Sequence, residues 1–343
     1  MTLLADWQLQ GPLLALWPYR NDVWRANAWH AQQTMLQMVQ RIAPYHPVSL
    51  GIHPPQIQQA IPQLPQTVGW FPLSYDDIWL RDYGPHFVVS AERIHAVAAE
   101  FDGWQGLHSV HQRDQRMAQR LSHHCRLALR RLPFIFEGGM LSHDGAGTAF
   151  VHAASLQQRN PQWRRRELQR VLQARLGLTR IIWIETVLRA DETAGHVDNQ
   201  IQFMGPDVIV YAQSVNDPEW NNEVLKLRQQ AWAQAYRWLE LPPCQAVIDK
   251  VELFYDVQRR EGVRVRGQAP SLASYVNMIR LPEAIVVPQF QHSSCADSNA
   301  LALTQVREMF SDLNVVAVDA TEFIRGGGGP HCVSLVLPNS LLG

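Results

Sequence analysis

Five short polar stretches interrupt otherwise apolar context in this chain, and they hold side chains able to do chemistry. They are Trp79-Leu80-Arg81-Asp82-Tyr83-Gly84-Pro85, Phe136-Glu137-Gly138-Gly139, Gly195-His196-Val197-Asp198-Asn199, Ser274-Tyr275-Val276-Asn277 and Gly326-Gly327-Gly328-Gly329-Pro330-His331-Cys332. A lone cysteine before an apolar strand, such as Cys332, is ordinarily a small buried hydrophobe. Here four glycines precede it, which lets backbone approach closely and leaves room for a ligand. His331 is adjacent, but neighbours on an extended chain point to opposite faces, so the partner of Cys332 is expected elsewhere. If Gly195–Phe203 is extended, His196 and Asp198 share one face while Val197 points away. Such a pair can be half a metal site, an acid/base with its anchor, or a merely structural pair. No H-E-x-x-H spacing occurs, so no metal is expected. Asp82 with Trp79 three residues before it would set a carboxylate beside a flat aromatic wall. That arrangement suits a planar cation such as guanidinium; the plainer reading is an Arg81–Asp82 charge pair in a loop.

The combination is more specific than its parts. Two carboxylates can hold both sides of a guanidinium, a thiolate can attack its central carbon, and a histidine can protonate departing ammonia. The thiolate must be generated by the site or by the bound cation itself.

Elements must bring these distant residues together. Short β-branched runs bounded by turn residues predict strands at Leu13–Trp17, Pro47–Ile52, His86–Val89, Thr148–His152, Arg180–Trp183, Val208–Tyr211, Ala284–Pro288, Val315–Val318 and Val333–Leu337. Apolar spacing near i, i+3, i+4, i+7 predicts helices at Asn27–Ile42, Arg113–Leu121, Gln162–Leu176, Asn221–Trp238 and Ser298–Met309. The alternation defines an α/β chain with architectural repetition but no strong sequence repeat. A doubly wound sheet is the ordinary alternative, weakened because no Gly-x-Gly-x-x-Gly turn joins a strand to a helix.

Over 343 residues, 46% hydrophobic and 18% charged, there is material for a sizeable core. The 30 basic and 31 acidic residues nearly cancel, so nothing asks for a nucleic acid or an anionic membrane as partner. The Arg164–Arg166 run reads as a solvated helix face. The start lacks a basic segment followed by an apolar one, and the four cysteines are scattered. A cytoplasmic protein with reduced thiols is therefore expected. The oligomeric state is left open, a homo-oligomer included.

These five motifs, in this order, resemble those of the agmatine deiminase and bacterial-type peptidyl-arginine deiminase family. Ser142-His143-Asp144-Gly145-Ala146-Gly147-Thr148 and the opening Leu16-Trp17-Pro18-Tyr19-Arg20-Asn21-Asp22-Val23-Trp24 extend the resemblance over nearly the whole chain. It implies a pentein fold across 1–343: a five-bladed α/β propeller of pseudo-fivefold ββαβ units around a central channel, as a single catalytic domain. It also implies Cys332 as nucleophile and His196 as acid and then base. Asp82 and Asp198 would clamp the guanidinium, and Trp79, Glu137 and Asn277 would line its site, with no cofactor. Departures occur at Ala194, at Met140 and at Gln105-Gly106-Leu107-His108, none of which removes a catalytic group.

A substrate bearing an α-carboxylate needs a cation in its pocket. The resemblance implies that arginines beyond the Arg-Asp motif supply one in the peptidyl-arginine branch. Here no Arg or Lys lies between Arg93 and Arg113, where Glu100, Asp102 and Trp104 stand instead. Agmatine is therefore the expected substrate, going to N-carbamoylputrescine and ammonia. Arginine or peptidyl-arginine deimination, amidino transfer and non-catalytic guanidinium or polyamine binding are the alternatives.

Overall fold

A computed structural model describes residues 1–338, and in it strands and helices group into five similar units. In the second to fifth units a short strand pairs antiparallel with the next strand, a helix follows, and a third strand returns parallel to the second. The third unit shows the pattern plainly. Leu141–His143 pairs antiparallel with Thr148–His152, the helix Arg165–Leu176 crosses over, and Arg180–Ile184 lies parallel to Thr148–His152. The fourth unit uses Ile201–Phe203, Val208–Ser214, helix Pro218–Arg228 and Arg237–Val247. The fifth uses Ile279–Arg280, Ala284–Gln289, helix Ala296–Met309 and Asn314–Asp319. In the second, His86–Ser90, Arg93–Glu100, helix Met117–His124 and Ala128–Ile135 play these parts.

The first unit closes the ring. Its short strand, Ser334–Val336, comes from the far end of the described chain and pairs antiparallel with Leu13–Leu16. Helix Trp29–Ile42 then leads to Val48–Ile52, parallel to Leu13–Leu16. This is the pentein architecture. Every residue of Leu13–Leu16 is buried, as a strand covered on both faces must be.

Local chemistry accounts for the helices. In Arg165–Leu176 the buried residues are Leu168, Leu172 and Leu176, a single stripe four residues apart. Its first turn is held by Glu167, which accepts from the Arg164 amide at 2.9 Å, and it ends at Gly177 in the left-handed region. The expected helix Asn221–Trp238 is a correction. It spans Pro218–Arg228, and Trp238 lies in a strand opposite Ile209. Pro218 starts it early, while the aromatic run Trp232, Tyr236 and Trp238 stacks on itself against the sheet. The expected helix from Asn27 starts at Trp29, because Ala26, Asn27 and Ala28 all have positive φ. Arg93–Glu100 and Ala128–Ile135 were not expected as strands. Arg130 and Arg131 interrupt Ala128–Ile135, and the interior of Arg93–Glu100 is rich in alanine, a weak strand signal. No helix among the described residues is long and apolar enough to cross a membrane.

Candidate active site

Each of the five polar motifs sits immediately before the short first strand of one unit. Asp82 lies in the one-turn helix Leu80–Tyr83 ahead of His86–Ser90, and Glu137 precedes Leu141–His143. His196 and Asp198 precede Ile201–Phe203, Asn277 precedes Ile279–Arg280, and Cys332 precedes Ser334–Val336. Five equivalent turns therefore point toward one centre, which is how residues 250 positions apart (Asp82 and Cys332) come together.

Asp198 touches two partners at that centre. Its Oδ2 lies 3.6 Å from Cys332 Sγ and 2.8 Å from His331 Nδ1. Its Oδ1 is buried and has no hydrogen-bond partner among the described residues. Leaving such an acceptor unmet costs about 1–3 kcal/mol, so the atom is poised for a donor from a ligand. Asn277 donates from Nδ2 to Cys332 Sγ at 3.1 Å and accepts the His331 amide at its Oδ1 at 2.9 Å. Across the pocket, Asp82 accepts from the Gly139 amide at 2.9 Å and from the Trp104 indole at 2.8 Å. His196 Nδ1 is 3.8 Å from Asp82 Oδ1, and its Nε2 is 2.8 Å from Glu137 Oε2.

The surrounding cavity, about 20 Å³ on the scale where one water takes on the order of 10–15 Å³, is lined by Trp79, Asp82, Trp104, His196 and Cys332 among others. Two glycines are sterically required. A Cβ at Gly328 would stand 2.5 Å from Trp79 Cζ3, and one at Gly139 would overlap the His196 ring.

The charges are set by burial working against neighbours. Burial alone would push His196 down, but Asp82, then Glu137, then Asp191 lift it to about 10, so it is an imidazolium at neutral pH. Burial raises Asp82 to about 6, with Glu137 and Asp198 adding and His196 and Trp104 opposing. Burial also pushes the Cys332 thiol well up, reinforced by Asp198 and Asp82. The resting sulfur is thus protonated. His331 is held down by burial and stays neutral, donating Nδ1–H to Asp198. Burial works against the Asp198 carboxylate, but that bond together with the charges of His196 and Arg81 holds it below its ordinary value and ionised.

Several expectations change. Gly195–Phe203 is not extended throughout: a 3-10 turn occupies Val197–Asn199. His196 and Asp198 nonetheless both reach the centre, with Val197 fully buried. The Cys332 segment is a turn, Ser334 N–H reaching His331 O, so His331 and Cys332 meet the same carboxylate instead of opposite faces. Glu137, Asp198 and Asn277 are not on the cavity wall: Asp198 and Asn277 stand behind Cys332 against its sulfur, and Glu137 is 0% exposed, its oxygens taken by Arg159 and His196. Glu100 is exposed, and Asp102 accepts the Gln105 amide outside the cavity lining.

Other residues at the site carry no sequence signal of their own. Arg159, at the end of the helix Ala153–Arg159, clamps Glu137 at 2.8 Å. Asp191 accepts the His196 amide at 2.9 Å, and its Asp-x-Thr turn was the one available cue. The second acid on the cavity wall, besides Asp82, is Glu192, paired with Arg266 at 3.0 Å and Arg264 at 3.3 Å. Cations absent from the stretch after Arg93 therefore arrive from elsewhere in the chain. Among the described residues, no group of three His, Cys, Asp or Glu could hold a metal.

A ring of five ββαβ-type units with a buried Cys–His–carboxylate cluster at its centre defines a pentein with a nucleophile-type site. Residues 2–338 match the model of the Porphyromonas-type peptidyl-arginine deiminase family, and the chain belongs to that family. It is 31% identical to a protein of Yersinia pseudotuberculosis over 97% of this chain and 94% of the relative. It is 30% identical to the agmatine deiminase of Pseudomonas fluorescens over 97% of this chain and 94% of that one. The solved agmatine deiminase of Enterococcus faecalis superposes with a TM-score of 0.89 at 25% identity, covering 98% of this chain and 96% of that one. An amidinotransferase from Microseira wollei shares the fold more distantly, with a TM-score of 0.56 at 11% identity over 98% of this chain and 96% of that one.

Proposed function

We propose that this chain is a cytoplasmic hydrolase that deiminates agmatine through a covalent intermediate on Cys332, with the five units acting as one catalytic body. The observation that carries the reading is the buried, partnerless Oδ1 of Asp198 beside the Cys332 thiol, with Asp82 and imidazolium His196 opposite. A guanidinium would give N–H donors to Asp198 and Asp82, with Trp79 and Trp104 on the cavity wall. Its positive charge reverses the field that holds the thiol protonated, so the sulfur loses its proton as substrate enters.

The Sγ–carbon bond then forms, and His196 gives its proton to the departing nitrogen as the C–N bond breaks, releasing ammonia. A water replaces the ammonia and forms the C–O bond as neutral His196 takes one of its protons; the C–S bond then breaks, and the other proton passes from that oxygen to the sulfur. The ureido product leaves and the thiol is regained. Glu192 gives the cavity a second acid for the amine end of agmatine, and the Pseudomonas and Enterococcus relatives carry that activity in their names.

A second reading has one observation in its favour: Arg264 and Arg266 beside Glu192 would suit the carboxylate of arginine or an arginyl peptide. Ammonia release measured across agmatine, arginine and C-terminal arginyl peptides separates the two. Dominant turnover of agmatine is expected, and comparable turnover of arginine would overturn the choice. Cys332→Ser should bind agmatine without turnover, and a haloacetamidine should label Cys332 ahead of Cys125, Cys244 and Cys295.

A further inference from the structure

On the other side of the motif ring lies a second cavity, whose lining includes Asp6, Arg81, His86, His143, Arg280 and His331. Arg81 and His331 stand one residue from Asp82 and Cys332. The turns that build the active site thus form the partition between the two chambers. The chamber holds about 60 Å³. One water needs on the order of 10–15 Å³ by that measure, so there is room for a few waters or a small polyatomic ion.

Its charges do not balance. Arg81 is paired with Asp6 at 2.6 Å. Arg280 makes no ion pair among the described residues; its Nε donates to Met204 O at 3.2 Å and its buried Nη1 has no partner. The Nε of Arg81 is likewise buried and partnerless. Burial pulls Arg280 down to about 10, the mark of a cation without a counter-ion. Burial also drives His86 to about 3 and His143 to about 4, so neither adds charge at neutral pH. One uncompensated guanidinium remains, with two orphaned N–H donors of two guanidinium groups in one chamber. Buried cations are ordinarily paired, and a planar guanidinium matches carboxylate and phosphate oxygens geometrically.

We propose that this second chamber binds a small oxyanion, a phosphate or carboxylate group, at Arg280. The site is separate from the substrate pocket and does not depend on which guanidinium compound the enzyme takes. Isothermal titration of the full chain with inorganic phosphate and with acetate, at ionic strength held constant with chloride, tests it. Saturable one-to-one binding of at least one of the two is expected, with no matching signal from chloride. Arg280→Gln should weaken that binding about tenfold or more. Arg280→Lys keeps the charge without the planar fork; it should weaken binding less and serves if the glutamine variant does not fold. Arg266→Gln, on the substrate side, should leave it unchanged. Heats indistinguishable from chloride, equal affinity in the wild type and the Arg280 variants, or loss of binding in Arg266→Gln instead would overturn the assignment.

Discussion

The indole of Trp104 controls the acid limb of the pH profile, and Trp104→Phe tests this. Trp104 Nε1 donates to Asp82 Oδ2 at 2.8 Å, inside a site where Asp82 is fully buried and raised to about 6. A hydrogen bond to an ionised group is worth about 1.5–3 kcal/mol. At 1.36 kcal/mol per unit, losing it costs the carboxylate form about 1–2 units of pKa. The sign is upward, because the lost donor had favoured the charged form. Phenylalanine keeps the edge-on packing against Phe101, so the change falls mainly on the donor. Asp82 must be ionised to accept a guanidinium, and kcat/KM reports the free enzyme. The acid limb should move from about pH 6 to about 7–8, with the alkaline plateau kept. For a pKa of about 7.5, activity at pH 6.5 falls about elevenfold below the plateau, about eightfold below the wild type at that pH. The assay is ammonia release at low substrate from pH 5 to 10, beside circular dichroism to establish folding. A variant that loses activity equally at every pH, with its limb still near 6, would refute the role given to the indole and to Asp82.

Two further substitutions probe the rest of the site. Glu137→Gln removes the anion that helps hold His196 at about 10. The alkaline limb of kcat/KM should fall by about 1–2 units. Because Arg159 loses its buried partner, urea denaturation should report a cost of about 3–5 kcal/mol. Gly328→Ala puts a methyl 2.5 Å from Trp79. Steady-state kinetics should show kcat/KM down about ten- to hundredfold, matching about 1–3 kcal/mol of displacement, while an unchanged value would mean that Trp79 does not wall the substrate.

What the sequence made legible follows from where the information sits. The strands Leu13–Leu16 and Thr148–His152 could be located because they are buried throughout and read as apolar runs. Ala128–Ile135 escaped because Arg130 and Arg131 break its pattern, and Arg93–Glu100 because its interior is rich in alanine, a weak strand signal. The chemistry-bearing residues stood out for a related reason: a polar side chain between glycines and apolar runs has no local reason to be there. Trp104, Arg159 and Glu192 had no such signature, since each acts through a partner set by the fold, Asp82, Glu137 and Arg266 respectively.

The substrate argument shows the limit most clearly. Counting cations between Arg93 and Arg113 assumed that the pocket takes its tail-binding groups from neighbouring sequence. A ring of five units breaks that assumption, since each turn faces the centre and every other unit with equal ease. Arg266 reaches His108 at 3.4 Å although 158 positions separate them. Residues that touch the reacting carbon must come from the five inward turns, which the sequence marks as motifs. Under the proposed reading, the substrate's tail would meet segments farther out, such as those bearing Glu192, Arg264 and Arg266. The reaction class proposed here is therefore legible in short motifs near the axis, whereas the groups around the tail depend on long-range pairings that only the closed ring defines.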